Sequence, residues 1–118
     1  MKLICTLVAA AAVALAATTA ASPMSHPRLF GTVGPGFTIT LKKKGLRVRT
    51  LKAGIYTFVV SDKASIHNFQ LKGPRLNRAL TTIGGTGTKT VTLKLRRGLY
   101  TYYCVPHATS MRGSFRVT

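Results

Sequence analysis

Tyr102-Tyr103-Cys104-Val105-Pro106-His107-Ala108-Thr109-Ser110-Met111 is the stretch from which the fold and chemistry of this chain are read. Between Cys104 and Met111 it gathers a thiol, an imidazole and a thioether. An apolar, strand-like run, residues 99–104, leads into it, and Tyr100, Tyr102 and Cys104 share one parity and so one face. A strand ending at Cys104, then a short loop returning through His107 and Met111, brings the three side chains near one point. Residues 113–118 follow as a closing strand, with Phe115 and Val117 inward.

Far upstream, Ile66-His67-Asn68-Phe69-Gln70-Leu71 carries a second imidazole. His67, Phe69 and Leu71 share a face, which places His67 at the inner end of a core-facing stripe. An inward histidine alone reads as a hydrogen-bonded core residue. Beside the Cys104, His107 and Met111 cluster it reads as a ligand. Two imidazoles, one thiolate and a weak thioether are the donor set that suits copper in an electron-transfer site. His26, among proline and polar residues in the lead-in 22–28, reads as solvated.

The rest of the chain supplies strands and turns. Residues 29–33 form a short strand closed by Gly34-Pro35-Gly36, and residues 37–41 alternate apolar and polar with period two. Lys42-Lys43-Lys44-Gly45 ends that run in a solvated turn, and residues 46–51 are short and basic. Residues 55–60 are β-branched and aromatic on both faces, as in a central sandwich strand. Residues 72–87 read as loop, with a helical turn over 75–80, and residues 88–95 alternate cleanly. The glycine cluster at 84–87 lacks the Gly-Lys-Ser/Thr ending of a phosphate cradle and opens no helix. No long segment has a helical period, and roughly six to eight short strands argue for an all-β sandwich or barrel.

The start of the chain reads as an export signal: Lys2, an apolar run over residues 3–17 broken by Thr6, then small residues that fit cleavage after Ala20 or Ala21. The run is shorter than the roughly 20 residues that span a bilayer. Residues 1–21 are therefore read as a cleavable signal peptide, 22–28 as a flexible lead-in and 29–118 as one domain. Cys5 leaves with the signal, so Cys104 is the only thiol of the exported chain. An unpaired thiol in an oxidising compartment needs a reason, and metal ligation is one.

Eighteen Lys and Arg face one acid, Asp62, a net charge of +17. The lack of carboxylates excludes paired-carboxylate hydrolysis and hard oxygen-ligand sites for Ca²⁺ or Mg²⁺. Cys104 and His107 also lack an acid partner for protease chemistry. The positive field draws anionic partners. Nucleic acid suits the charge but not the export signal, and the aromatics are not interleaved with the basic residues.

At Tyr103-Cys104-Val105-Pro106-His107 with the following Met111, paired with the upstream His67-Asn68, the chain resembles the cupredoxins, the group of plastocyanin, pseudoazurin, amicyanin and azurin. The resemblance implies a Greek-key β-sandwich with one copper ion at one end, under the loops. Carried onto this sequence, it makes His67, Cys104 and His107 the equatorial ligands and Met111 the long axial one. Asn68 would tie the two ligand loops together and aim its N–H at the Cys104 sulfur. Pro106 would stiffen the second loop. Two residues separate Cys104 from His107, as in plastocyanin. Three separate His107 from Met111, one fewer than in plastocyanin and as many as in azurin.

The resemblance implies an exported one-electron carrier, not an enzyme. It would cycle Cu(I)/Cu(II), act as a monomer in the periplasm, at the cell surface or outside the cell, and not span a membrane once the signal is removed. His107 would reach the surface within an apolar patch of Val105, Pro106, Ala108 and Met111. Acidic redox proteins or an anionic envelope surface are the expected partners. The alternative is an envelope copper-binding protein for storage, delivery or sensing, with the same ligands and no electron-transfer role. Zinc at a Cys-His-His site is a further possibility, but it makes no use of Met111.

Overall fold

The structure is a computed structural model and describes residues 8–22 and 24–118. Lys2, Cys5, Thr6 and the leading part of the apolar run lie outside the described residues. Residues 8–22 are exposed and form neither helix nor strand, and no described helix is long and apolar enough to cross a membrane.

Strands arise where side chains alternate. In β5, Gly54–Asp62, the residues Tyr56, Phe58, Val60 and Asp62 are buried while their neighbours are not. The neighbouring strands β1 (Arg28–Val33) and β8 (Gly87–Leu95) pair with it on either side, β1 parallel and β8 antiparallel. With β2 (Ile39–Lys43) and β3 (Leu46–Arg47) they form one five-stranded sheet, in the order β3-β2-β1-β5-β8. The second sheet has the order β4-β10-β9-β6-β7, from β4 (Thr50–Leu51), β6 (Gln70–Gly73), β7 (Leu76–Ala79), β9 (Gly98–Tyr103) and β10 (Arg112–Val117). The chain crosses between sheets at β3–β4, β4–β5, β5–β6, β7–β8 and β8–β9, which makes the all-β sandwich expected of the sequence.

The core is the space between the inner faces. Leu29, Val33, Leu41, Phe58 and Val60 from one sheet meet Leu71, Tyr100, Tyr102, Phe115 and Val117 from the other. Phe69 stacks on Tyr102 at 5.6 Å and Tyr100 on Phe115 at 5.2 Å, which anchors the strand leading to Cys104 in the middle of the core. The buried Tyr100 hydroxyl donates to Arg96 O at 3.0 Å and accepts from Arg96 N–H at 2.8 Å, so it is satisfied as a buried hydroxyl must be.

Five local expectations change. The helical turn over 75–80 is instead strand β7, paired with β6 through Leu71↔Arg78 and Lys72↔Asn77. Pairing partners supplied by tertiary structure override a weak local preference. The run 55–60 is internal to its sheet but buried on one face only, with Ile55 exposed. Strand β2 begins at Ile39, leaving Phe37 in the preceding loop. Strand β6 begins at Gln70, so His67 lies in the loop before it and not on a strand. The sandwich also begins one residue earlier than expected, at Arg28.

Alternating strand directions collect the connections at two ends. Residues 34–38, 62–69, 80–87 and 104–111 form one end. The β2–β3, β4–β5, β6–β7 and β8–β9 turns form the other.

Candidate metal centre

Cys104 directly follows β9. Its N–H donates to Met111 O at 3.0 Å, so the strand pairing of β9 with β10 continues across the base of the loop. Val105–His107 makes a 3₁₀ turn with Pro106 in its first positions, where a missing N–H leaves no bond unmade. His107 N–H donates to Cys104 O at 3.1 Å, and His107 O accepts from Met111 N–H at 2.8 Å and Ser110 N–H at 3.1 Å. The loop is braced along its whole length, and that bracing sets where His107 points.

The loop carrying His67 is braced too. Asp62 Oδ1 accepts from Ala64 N–H at 3.2 Å, and His67 N–H donates to Ala64 O at 3.3 Å. Past the histidine, Phe69 N–H donates to Thr81 Oγ1 at 2.9 Å and Phe69 O accepts from Leu80 N–H at 2.7 Å. Asn68 Oδ1 accepts the Val105 N–H at 2.8 Å, which joins the loop carrying His67 to the loop carrying Cys104 and His107. The hydrogen bonds of the described residues do not include one from Asn68 N–H to the Cys104 sulfur.

Three donor atoms converge. His67 Nδ1 and His107 Nδ1 lie 3.2 Å apart, and Cys104 Sγ lies 3.6 Å from each. The point equidistant from the corners of that triangle is about 2.0 Å from each atom, within the roughly 2.0–2.3 Å at which imidazole and thiolate bind a first-row metal ion. The soft thiolate with two imidazoles is also the donor set that copper favours, so these residues are positioned for a single copper ion. Cys104 and His67 are fully buried and His107 is partly exposed. His67 Nδ1 faces the shared point, and its Nε2 is buried without a hydrogen-bond partner. Packing therefore orients this ring. A Cβ on Gly34, at φ 74°, would stand 3.2 Å from His67 Cδ2.

Met111 is fully buried beside Cys104, linked to it by the backbone bond described above. It takes no part in the exposed patch around His107, contrary to expectation, because its side chain points inward. Val105 and Pro106 are exposed and Ala108 is partly so. The sequence reading missed Phe37. Its ring stands edge-on to both imidazoles, with centroids 5.4 Å from His67 and 4.9 Å from His107, and it is 62% exposed. It closes the site from the β1–β2 loop. Its sequence signal was masked, because it continues the period-two pattern of the strand that follows.

The charge is segregated. The four loops at the metal end contain one cation, Lys63, and the only acid, Asp62, which is buried. The opposite end holds Lys44, Lys52, Arg75, Arg96 and Arg97 in its turns, with Lys43 at the end of β2 beside them.

The sequence profile of copper-binding proteins of the plastocyanin/azurin family matches residues 32–118. No curated protein sequence is significantly similar. Among solved structures, the chain is similar to auracyanin A, a "blue" copper protein from the green thermophilic photosynthetic bacterium Chloroflexus aurantiacus. The TM-score is 0.54 at 17% identity, over 77% of this chain and 98% of that one. Rusticyanin, a copper protein, aligns with a TM-score of 0.57 at 20% identity, over 77% of this chain and 76% of that one. A chain of a heme-copper terminal oxidase dimer aligns at 0.52 and 17% identity, over 86% and 76%. At these identities the three structures speak for the fold.

Proposed function

The chain belongs to the plastocyanin/azurin family of copper-binding proteins, and from that premise we propose that it is an exported type 1 copper protein that carries single electrons between redox partners. The observation that carries this reading is the Nδ1–Nδ1–Sγ triangle, closed by a buried thiol and sized for one ion. In this reading His67, Cys104 and His107 are the equatorial ligands and Met111 the axial one, with Asn68 and Pro106 holding the loops that carry them. Copper held there supplies a Cu(I)/Cu(II) couple whose potential is tuned by the axial ligand and by the surroundings of the sulfur.

The protein's own part is to hold the donors still and dry. Two loops cross-linked through Asn68 and Val105 resist rearrangement between the geometries that the two oxidation states prefer. Phe37 limits water on one side, and the sandwich excludes it on the other. His107 is the only equatorial donor with exposed surface, so electrons pass through its ring edge. Around it Phe37, Val105 and Pro106 are exposed, and the same end exposes Ile66 and Ile83. A small apolar rim of this kind suits brief docking, and redox encounters have interfaces at the low end of size. With one thiolate and no open substrate position, the centre has nothing with which to run a turnover reaction, and we read the protein as a carrier and not an enzyme. Residues 1–21 act as the signal peptide, residues 22–28 as a lead-in, and the protein works as a monomer outside the cytoplasm.

The visible spectrum of the copper-loaded chain tests the site. An intense thiolate-to-copper band that disappears in Cys104→Ala is the expected result; a colour that survives the substitution overturns the assignment. His107→Gly tests the route: the chain stays folded and its electron exchange slows by orders of magnitude, and an unchanged rate would refute passage through the His107 edge.

A further inference from the structure

The cations are not spread evenly over the sandwich. Every second connection goes to the same end, and those at the end away from the metal centre carry nearly all the turn charges. The densest group is Lys42-Lys43-Lys44-Gly45-Leu46-Arg47, the β2–β3 hairpin and its flanks. Beside it an open cleft of about 450 Å³ is lined by Lys43, Arg47, Arg49 and Lys52 with Leu46, Val48, Leu51 and Tyr56. No acidic side chain is available to neutralise this surface, because the only one, Asp62, is buried at the other end. At the hairpin tip, flanked on both sides by these cations, Leu46 is 75% exposed and lies outside the hydrophobic core.

We propose that this end is a docking surface for an anionic lipid bilayer, with Lys43, Lys44, Arg47, Arg49 and Lys52 meeting headgroup phosphates and Leu46 entering the interface. Two observations favour a bilayer over a soluble polyanion or an acidic protein. The charge extends across several turns of one whole end and is not confined to one pocket, which suits a laterally extended surface. An exposed leucine in the middle of the cations adds a contact that only an apolar phase rewards. Cations near an anionic leaflet attract it additively and over a short range. Docking by this end turns the His107 edge away from the surface and leaves it free for a soluble partner. The proposal does not depend on metal, and the apo-protein serves to test it.

Among the described residues all strands and the whole core lie within residues 28–118, and residues 8–22 are exposed throughout, so a chain starting at Ser22 is expected to keep the fold and lacks the apolar leader. Its sedimentation with vesicles of equal phosphatidylglycerol and phosphatidylcholine at 0.1 M salt is compared with sedimentation with phosphatidylcholine alone. Binding is expected with the anionic vesicles only. K43A/K44A/R47A lowers it about 100-fold, at about fivefold for each cation removed. Leu46→Ser lowers it several-fold and leaves binding to long-chain polyphosphate unchanged, while Lys63→Ala at the metal end changes neither. Equal binding to neutral vesicles, or a triple variant that binds as the parent does, overturns the proposal. So does a Leu46→Ser variant that sediments like the parent, which would identify a soluble polyanion as the ligand. A loss caused by Lys63→Ala would overturn the orientation.

Discussion

Asn68 Oδ1 accepts the Val105 N–H at 2.8 Å across 37 positions of sequence, and through this one bond the loop that carries His67 holds the loop that carries Cys104 and His107. Asn68 is itself buried, and its Nδ2 donates to Gln70 Oε1 at 3.3 Å. Asn68→Ala is expected to destabilise the apo-protein by about 1 kcal/mol, the usual worth of one such bond. That is a fall of about 4–8 °C in Tm for a domain of this size. In the copper-loaded protein the same change should also shift the thiolate band, because the Cys104 backbone loses its anchor to the other ligand loop. Thermal melts with and without copper, together with visible spectra, check both parts. A variant whose melts and spectra match the parent would show that the bond does not couple the loops.

The site was legible in the sequence as residue types at a spacing. A thiol, an imidazole and a thioether within one loop point to one chemistry, and His67 stood out by facing the same way as Phe69 and Leu71. Other features depend on contacts that only the folded chain makes. Phe37 looks like the next residue of a strand until the strand is seen to start at Ile39. Residues 75–80 look locally helical until β6 offers them a pairing edge. Thr81, which holds Phe69 N–H and so steadies the His67 loop, carries no sequence signal, since a buried hydroxyl and a solvated one are the same letter. The charge segregation lies between the two cases. The Lys and Arg runs are visible, but their common end emerges only once the strand directions are known.

Met111 is fully buried, so its replacement by leucine conserves volume and should cost less than about 1.5 kcal/mol of stability. Its effect on the centre is expected to be larger. In the axial role proposed for Met111, loss of the thioether with two imidazoles and a thiolate kept should weaken the coordination of Cu(II) more than that of Cu(I) and raise the reduction potential. Voltammetry of Met111→Leu beside the parent measures the shift. A potential that does not move would show that Met111 is only a core residue.

Phe37 touches both imidazoles edge-on and is mostly exposed, so little of the fold rests on it. Phe37→Ala should lower apo stability by about 1 kcal/mol or less, the scale of an edge-to-face pair discounted for exposure. The copper-loaded protein should lose metal to a chelator several-fold faster, because the ring that closes the β1–β2 side of the site is gone. Release kinetics followed by loss of the visible band test this. Equal rates in parent and variant would assign Phe37 to partner docking alone.

Nearly all of the turn cations stand at the end of the sandwich away from His107, and this separates two effects that a net charge of +17 would otherwise merge. At 0.1 M salt the Debye length is about 10 Å, so charge at the far end is largely screened from a reagent arriving at the His107 edge. Only Lys63 is present in the loops of that end. The rate of electron exchange with a small anionic oxidant is therefore expected to change less than about twofold between 0.1 and 0.5 M salt, whereas a body with its charge spread evenly would slow far more. Stopped-flow rates across that range decide the matter. A steep fall would mean that the cations near the metal end, Lys63 and Arg112, steer the reagent despite their small number. In that case Lys63→Ala should flatten the response.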